Sequence, residues 1–538
     1  MTLYQRRDAR TAEPLSLLLS AIAAACGPAA IADLPDDAPA PLAECSAEAS
    51  PVMLATGTSW APSFQPDVPT VHAGVSGSIV FEDENESVWL APLDGDRAQL
   101  PGTQVYETRF SLAGRWLVVP GDDEVRVLDE ASGAQHRIAE GWDVRPSFYR
   151  AADGSEAVAL YVGGSIWVVD DRGPRAIADG AEDLVVADRG AIGVTDEIDG
   201  HRVVDLDSGE VRRLALGTGV VGVSHDGAFL THVVGRDVGD TPSTMSVIDT
   251  STLEVVAQIE YSPLEGGYYR APMHAPSAAH TIAFALPGGG VTILDDELEL
   301  QTRAGGELLA ILGRTEAVLR EGDAIVVADA ESREERRIEA VGDPPGGLFD
   351  ESNHVASRGG MAVAFTAEIG GAASIVMLRA NEADVAVLAT PVPESGLRVK
   401  AVWIGDDGTT LVQGPLDAAG DFDDLHLVEA SGSLRASFAA SGYDVDAVVE
   451  RANLLLVRVP GYPGELIEID LATATARRIG GGDAMAIGDG RNGCHVAISL
   501  GCARPTGEPD SYPLVDWELY RLPLGGPASA PLDPCVPG

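Results

Sequence analysis

One unit restricts the fold more than anything else in the chain: a strand, a tight polar turn and a return strand. Its clearest copy is Glu124 to Ile138, EVRVLDEASGAQHRI. Val125, Val127 and Ile138 are apolar, with polar residues between them, which is the period of two of a half-buried strand. Ser132-Gly133 supplies the turn, because glycine tolerates positive φ and serine bonds the local backbone. A lone hairpin cannot bury its apolar face, so the unit needs neighbours.

The neighbours are present. Related runs occur at Ser87–Gly95, Ile166–Asp170, Arg202–Gly209, Met245–Thr250, Val291–Asp296 and Ala324–Asp329. They continue at Ser374–Leu378, Leu425–Glu429, Leu466–Asp470 and Trp517–Leu522. Their spacing of roughly 35 to 50 residues is that of four-stranded propeller blades. A second strand type precedes many of these hairpins, as in Ser111–Val119 and Ser224–Leu230, with weaker copies at Ser277–Phe284 and Asp407–Val412. These strands resemble the S-P-D-G-x-x-L-A-F strand of TolB-like, WD40-like propellers, with the proline replaced. Val247–Ile259, VIDTSTLEVVAQI, resembles the YVTN-type repeat of extracellular propellers. The resemblance covers about residues 80 to 530 and implies a fold without implying a function, since propellers host binding, scaffolding and several chemistries.

The expected fold is therefore all-β, a β-propeller of about eleven four-stranded blade units. Serial β-sandwiches are the alternative. Rings usually hold four to eight blades, so the units are expected to form two consecutive propellers, 76–300 and 301–538. The Gly- and Pro-rich stretches Pro287–Gly290 and Asp343–Gly347 mark the break.

The N-terminus bears on location. Arg6, Arg7 and Arg10 precede an apolar run, Leu15–Ala25, of signal-peptide length and too short to span a bilayer comfortably. Ala23-Ala24-Ala25-Cys26-Gly27 resembles the lipobox of bacterial lipoproteins, although Ala23 stands where leucine is usual. The resemblance implies that residues 1–25 are removed and that Cys26 is acylated, giving a cell-envelope protein of the outer membrane or periplasm. The alternative is ordinary cleavage after Ala23-x-Ala25, giving a soluble periplasmic or secreted chain. Residues 26–75 are rich in Ala, Pro and Asp and read as a tether. A cover strand through Val52-Met53-Leu54 that pairs with a blade is the alternative there.

Besides Cys26, the chain has Cys45, Cys494, Cys502 and Cys535, enough for two disulfides in an exported protein. Cys494 to Cys502 reads as one strand, whose eight residues would hold the Cα atoms about 25 Å apart. A disulfide needs about 5–6 Å. Cys502 is therefore expected to pair with Cys535, and Cys45 with Cys494. Buried free thiols are the alternative.

Composition narrows the partners. The chain carries 83 Asp and Glu against 36 Lys and Arg, a formal net charge of −47. It would repel a nucleic-acid backbone and anionic lipid, so no nucleic-acid partner is expected, and membrane attachment only through a lipid anchor. An envelope protein or a small ligand remains, and the bland reading of the charge is a solvated acidic surface.

The search for chemistry yields little. Gly222-Val223-Ser224-His225-Asp226-Gly227 has the wrong spacing for a nucleophile elbow. Adjacent strand residues face opposite ways, so Ser224, His225 and Asp226 cannot form a triad and read as a turn. His225 with His232, and His274 with His280, lack zinc-site spacing and a third ligand. Asp421, Asp423 and Asp424 offer closely spaced oxygens for Ca²⁺ but do not complete a binding loop, so a solvated turn is the competing reading. No other cofactor is expected. The leading expectation is an exported, lipid-anchored propeller that binds or scaffolds an envelope partner. The alternative is an envelope hydrolase or lyase that uses the propeller funnel, although no catalytic motif is present.

Overall fold

The computed structural model describes residues 44–45, 50–60, eleven sheets between 71 and 526, and 531–533. Outside the description lie 1–43, 46–49, 61–70 and 534–538. So do short turn positions and the longer connections 101–108, 139–143, 215–219, 235–242, 262–272, 275–281, 286–289, 295–299, 339–353, 390–398, 417–423, 441–444, 505–513 and 527–530.

Each sheet is a four-stranded antiparallel meander, and the described residues contain no helix. Ten sheets take their strands, lettered A to D, consecutively from the chain. These are sheets 1 (71–99), 2 (109–137), 3 (144–179), 4 (183–213), 5 (220–261), 6 (273–304), 7 (307–338), 8 (354–389), 9 (400–438) and 10 (447–482). Of sheet 6 only the backbone is described. Sheet 11 takes strands A to C from 484–523 and its D strand from the opposite end of the chain. Val52–Trp60 pairs antiparallel with Leu514–Pro523, from Val52 opposite Arg521 to Trp60 opposite Leu514. The architecture is a β-propeller of four-stranded blades.

The segment read as a tether is thus part sheet. The cover-strand alternative holds for 52–60, and sheet 1 already begins at Val71. The partner of the cover strand lies more than 450 residues away, so no local periodicity announces it.

The strands follow from their side chains. B and C strands are covered on both faces and read as near-continuous apolar runs, such as Ala157–Val162 and Leu454–Val457. D strands form the outer edge and alternate, as in Gly173–Asp179 and Leu434–Phe438. The core lies between sheets. Leu117 and Val119 of sheet 2 pack on Val80 and Val88 of sheet 1. Val158 and Leu160 of sheet 3 pack on Val118 and Val127 of sheet 2. Val363 and Phe365 of sheet 8 meet Val318 and Val327 of sheet 7, and Leu455 and Val457 of sheet 10 meet Leu411 and Leu425 of sheet 9. The series returns on itself, because Trp517 and Leu519 of sheet 11 share a cluster with Val71, Ile79 and Phe81 of sheet 1.

Two turn types recur at one end of several blades. In three A–B turns a buried serine closes the hairpin. The Ser111 hydroxyl accepts from Trp116 N at 3.0 Å, Ser224 from Phe229 N at 2.9 Å and Ser357 from Ala362 N at 3.0 Å. Ser224 thus occupies the turn expected of it, while His225 and Asp226 lie outside the described residues. In C–D turns an aspartate carboxylate accepts from the backbone two and three residues on, as Asp205, Asp249 and Asp470 do. The residue four past that aspartate has positive φ: Gly133, Gly209, Leu253 and Ala474. A–B and C–D turns therefore form one face of the blade array. B–C turns and D–A connections form the other.

Candidate functional site

The A–B/C–D face carries a set of contacts between blades. Arginines there reach from one blade into the next. Arg115 bonds Asp129 of its own sheet at 3.0 Å and Asp171 of sheet 3. Arg175 bonds Asp170 at 3.0 Å and donates to the Leu206 carbonyl of sheet 4 at 2.7 Å. Arg212 donates to the Thr250 and Ser251 carbonyls of sheet 5 at 2.6 and 2.8 Å, and Arg435 to Ala472 O of sheet 10 at 2.9 Å. Burial alone would raise the Asp170 pKa, but bonds from Arg172 and Arg175 outweigh it and hold the carboxyl below its ordinary value. These pairs are partly solvated, so each contributes at most about 1 kcal/mol. Their geometric effect is to fix one blade's C–D turn against its neighbour.

At the inner strands of the same face, residues of three blades converge. Glu450 ends the A strand of sheet 10. Trp403 lies on the A strand of sheet 9, Asp406 in the following turn, and Arg358 in the A–B turn of sheet 8. Burial pushes the Glu450 carboxyl above the usual glutamate value and Asp406 adds to the rise, against Trp403, Arg358 and Arg451, which oppose it. Asp406 Oδ1 accepts from Gly359 N at 2.9 Å, and any β-carbon at Gly359 would collide with that carboxylate. The Trp403 indole N–H is buried without a well-formed hydrogen bond. A half-buried carboxyl inclined to hold its proton, beside a cation and an indole, is a group suited to proton transfer or to recognition of a polar ligand.

The N-terminal segment is fastened to this face as well. Cys45 and Cys494 are joined by a disulfide with Cα atoms 5.4 Å apart. Asn453, in the A–B turn of sheet 10, accepts from Cys45 N and donates to Cys45 O, both at 2.9 Å. Cys45 is buried among Leu454, Leu456, Leu522 and Leu524. Cys502 lies in the B strand of sheet 11 and is also disulfide-bonded, while Cys535 and Cys26 lie outside the described residues.

Of the calcium candidates, Asp421 and Asp423 lie outside the described residues. Asp424 is half-buried, and its carbonyl accepts from Gly414 N at 2.9 Å. Among the described residues no group of three or more His, Cys, Asp or Glu is placed to hold a metal ion. His232 is fully buried and meets His201 edge-to-face at 5.1 Å, an interblade contact. The Glu450 group and the interblade arginines escape a reading of the sequence, because each site is assembled from different repeats. Aligning the repeats turn by turn would have placed Arg358 and Asp406 at equivalent positions.

No family model and no curated protein matches the chain. Among solved structures it is similar to the tricorn protease, at 12% identity over 83% of this chain and 44% of that one, with a TM-score of 0.28. It is also similar to a eukaryotic initiation factor, at 10% identity over 84% and 98% with a TM-score of 0.37, and to oligogalacturonate lyase from Vibrio parahaemolyticus, at 12% identity over 62% and 99% with a TM-score of 0.28. The chain spans less than half the length of the tricorn protease chain. Likenesses this weak carry nothing about function.

Proposed function

We propose that the protein is an exported, lipid-anchored β-propeller that binds or scaffolds a partner at the cell envelope. The observation that carries this reading is the Cys45–Cys494 disulfide, which staples the N-terminal segment to the last blade. Such bonds persist in oxidising compartments, in keeping with the lipobox-like leader. The blades, locked by interblade cores and arginine clasps, would present their loops as a rigid surface. In-cell crosslinking followed by purification of the C-terminally tagged chain tests it. A reproducible envelope protein partner, lost when the chain is first denatured, supports the reading. Recovery of the chain alone, or with cytoplasmic proteins only, counts against it.

A second reading is an envelope hydrolase or lyase, favoured by the Glu450 group. Glu450 would hold or deliver a proton while Arg358 offsets negative charge on the substrate. Turnover by the parent chain that is lost in Glu450→Gln, with the melting temperature kept or raised, would support it.

A further inference from the structure

Cys502 is disulfide-bonded, and the Cys45–Cys494 bond uses two of the other four cysteines. The partner of Cys502 is therefore Cys26 or Cys535. The register of the strands around Cys502 separates the two. Pro531–Asp533 lies along the outer edge of sheet 10. Leu532 N donates to Ile479 O at 2.8 Å, and Gly481 N donates to Leu532 O at 3.0 Å. Arg478 donates to both carboxylate oxygens of Asp533 at 2.7 Å, and Leu532 packs on the core shared by sheets 10 and 11. The approach is close: a β-carbon at Gly480 would collide with the Leu532 carbonyl. The bridge between Gly480 and Leu532 is parallel, so the chain leaving Leu532 is aimed the same way as the chain leaving Gly480.

That direction leads to Cys502. Gly482 ends the D strand of sheet 10, and Asp483 follows it. Asp483 N donates to Gly501 O at 2.8 Å, and the Asp483 carboxylate accepts from Ala503 N at 2.9 Å. Asp483 thus brackets Cys502 from both sides. Gly480 to Asp483 and Leu532 to Cys535 are equal steps of three residues, about 10 Å of extended chain, and neighbouring strands lie about 4.8 Å apart. A sulfur two residues beyond the anchored Asp533 is therefore within reach of Cys502, where a disulfide needs Cα atoms about 5–6 Å apart. Cys26 starts from a worse place. It precedes Cys45 by 19 residues, and Cys45 is bonded at the opposite end of the same B strand, about 25 Å from Cys502. Effective concentration falls as the −3/2 power of tether length, so two residues against 19 favour Cys535 by about thirtyfold before that distance is counted.

We infer that Cys502 bonds Cys535, so that the B strand of sheet 11 is stapled at both ends and Cys26 is left as the one sulfur outside a disulfide. A donor disulfide RSSR takes up the two electrons. The Cys502 thiolate displaces one RS⁻, the Cys535 thiolate displaces the second from the mixed disulfide, and the two thiol protons end on two RSH. A bond to Cys26 would consume the sulfur that acylation needs. The fate of Cys26 rests on the lipid-anchor reading, while the Cys502–Cys535 bond does not. To test it, the exported full chain is thiol-blocked, digested with trypsin without reductant and mapped by mass. Peptide 492–521 holds Cys494 and Cys502, peptide 522–538 holds Cys535, and the peptide ending at Arg97 holds Cys45. All three should appear as one disulfide-linked species, and fragmentation of 492–521 between its cysteines should assign Cys502 to 522–538. Recovery of 522–538 with a blocked thiol, or of Cys502 joined to Cys26, overturns the inference. Cys535→Ser should open Cys502 to alkylation in the denatured chain, and Cys26→Ser should leave it bonded. Any other pattern in these two variants also overturns it. A Cys502–Cys535 bond with Cys26 carrying only the blocking group upholds the connectivity and removes the lipid anchor.

Discussion

Glu450 and Asn453 sit three residues apart and act in opposite senses. The Glu450 pKa is raised by folding, so the folded chain holds that proton more tightly than the unfolded chain does. The resulting stabilisation is present below the ordinary glutamate range and is lost as pH rises through the raised value. Glu450→Gln is neutral throughout, so it should raise the melting temperature more at about pH 7 than at about pH 4. Equal shifts at both would remove the buried charge as the cause. Asn453 bonds both backbone groups of Cys45. Asn453→Ala leaves them without these partners and should cost about 1–3 kcal/mol in denaturant unfolding. A change within about 0.5 kcal/mol would show that the clasp adds little beyond the disulfide.

At the scale of the element, the C–D turn shows how one geometry tolerates different residues at unequal strain. Gly133 and Gly209 take positive φ freely, whereas Leu253 and Ala474 hold φ of 59° and 54° at the equivalent place. Side chains in that region are strained by about 1–2 kcal/mol. Ala474→Gly should therefore be neutral to stabilising by up to about 1 kcal/mol, the gain reduced by the extra freedom of the unfolded chain. Gly209→Ala should destabilise by about 1 kcal/mol, since a β-carbon there meets only Ile177, at 3.6 Å, and strain alone decides. Thermal melts of both variants check the pair, and effects of the same sign would refute the assignment. These turns were legible in the sequence because their chemistry is local: a Ser-x-x-Gly or an Asp with Ser or Thr beside it reports its own hydrogen bonds. So were the B and C strands, whose apolar runs need no knowledge of the partner. The Val52–Trp60 strand was legible only as an alternative, because what makes it a strand is the open edge of Leu514–Pro523. Glu450 was not legible at all, because its pKa depends on burial and on Asp406 and Arg358, which belong to other blades.

For the whole molecule, the contact between first and last sheets matters most. A chain cut between Ala304 and Glu307 would still be joined by the Cys45–Cys494 bond and by the pairing of Val52–Trp60 with the last blade. Such a chain should run at full mass on a denaturing gel without reductant and as two fragments with it. Two fragments without reductant would contradict the linkage. Cys45→Ser should lower stability by about 2–5 kcal/mol, because the bond closes a very long loop in the unfolded chain. The split into propellers at 76–300 and 301–538 stays a proposal, and single-particle images of the intact chain would show one ring or two. The long reach of the closing strand also bears on how such a chain is made. Synthesis delivers Val52–Trp60 before any other described strand, yet its partner follows more than 450 residues later. Until then this strand waits as an unpaired edge, open to the wrong neighbour. Completion of this blade is then a report that every strand up to Pro523 has arrived, and a chain cut short of it would be left with a loose β-strand that proteases or chaperones can recognise.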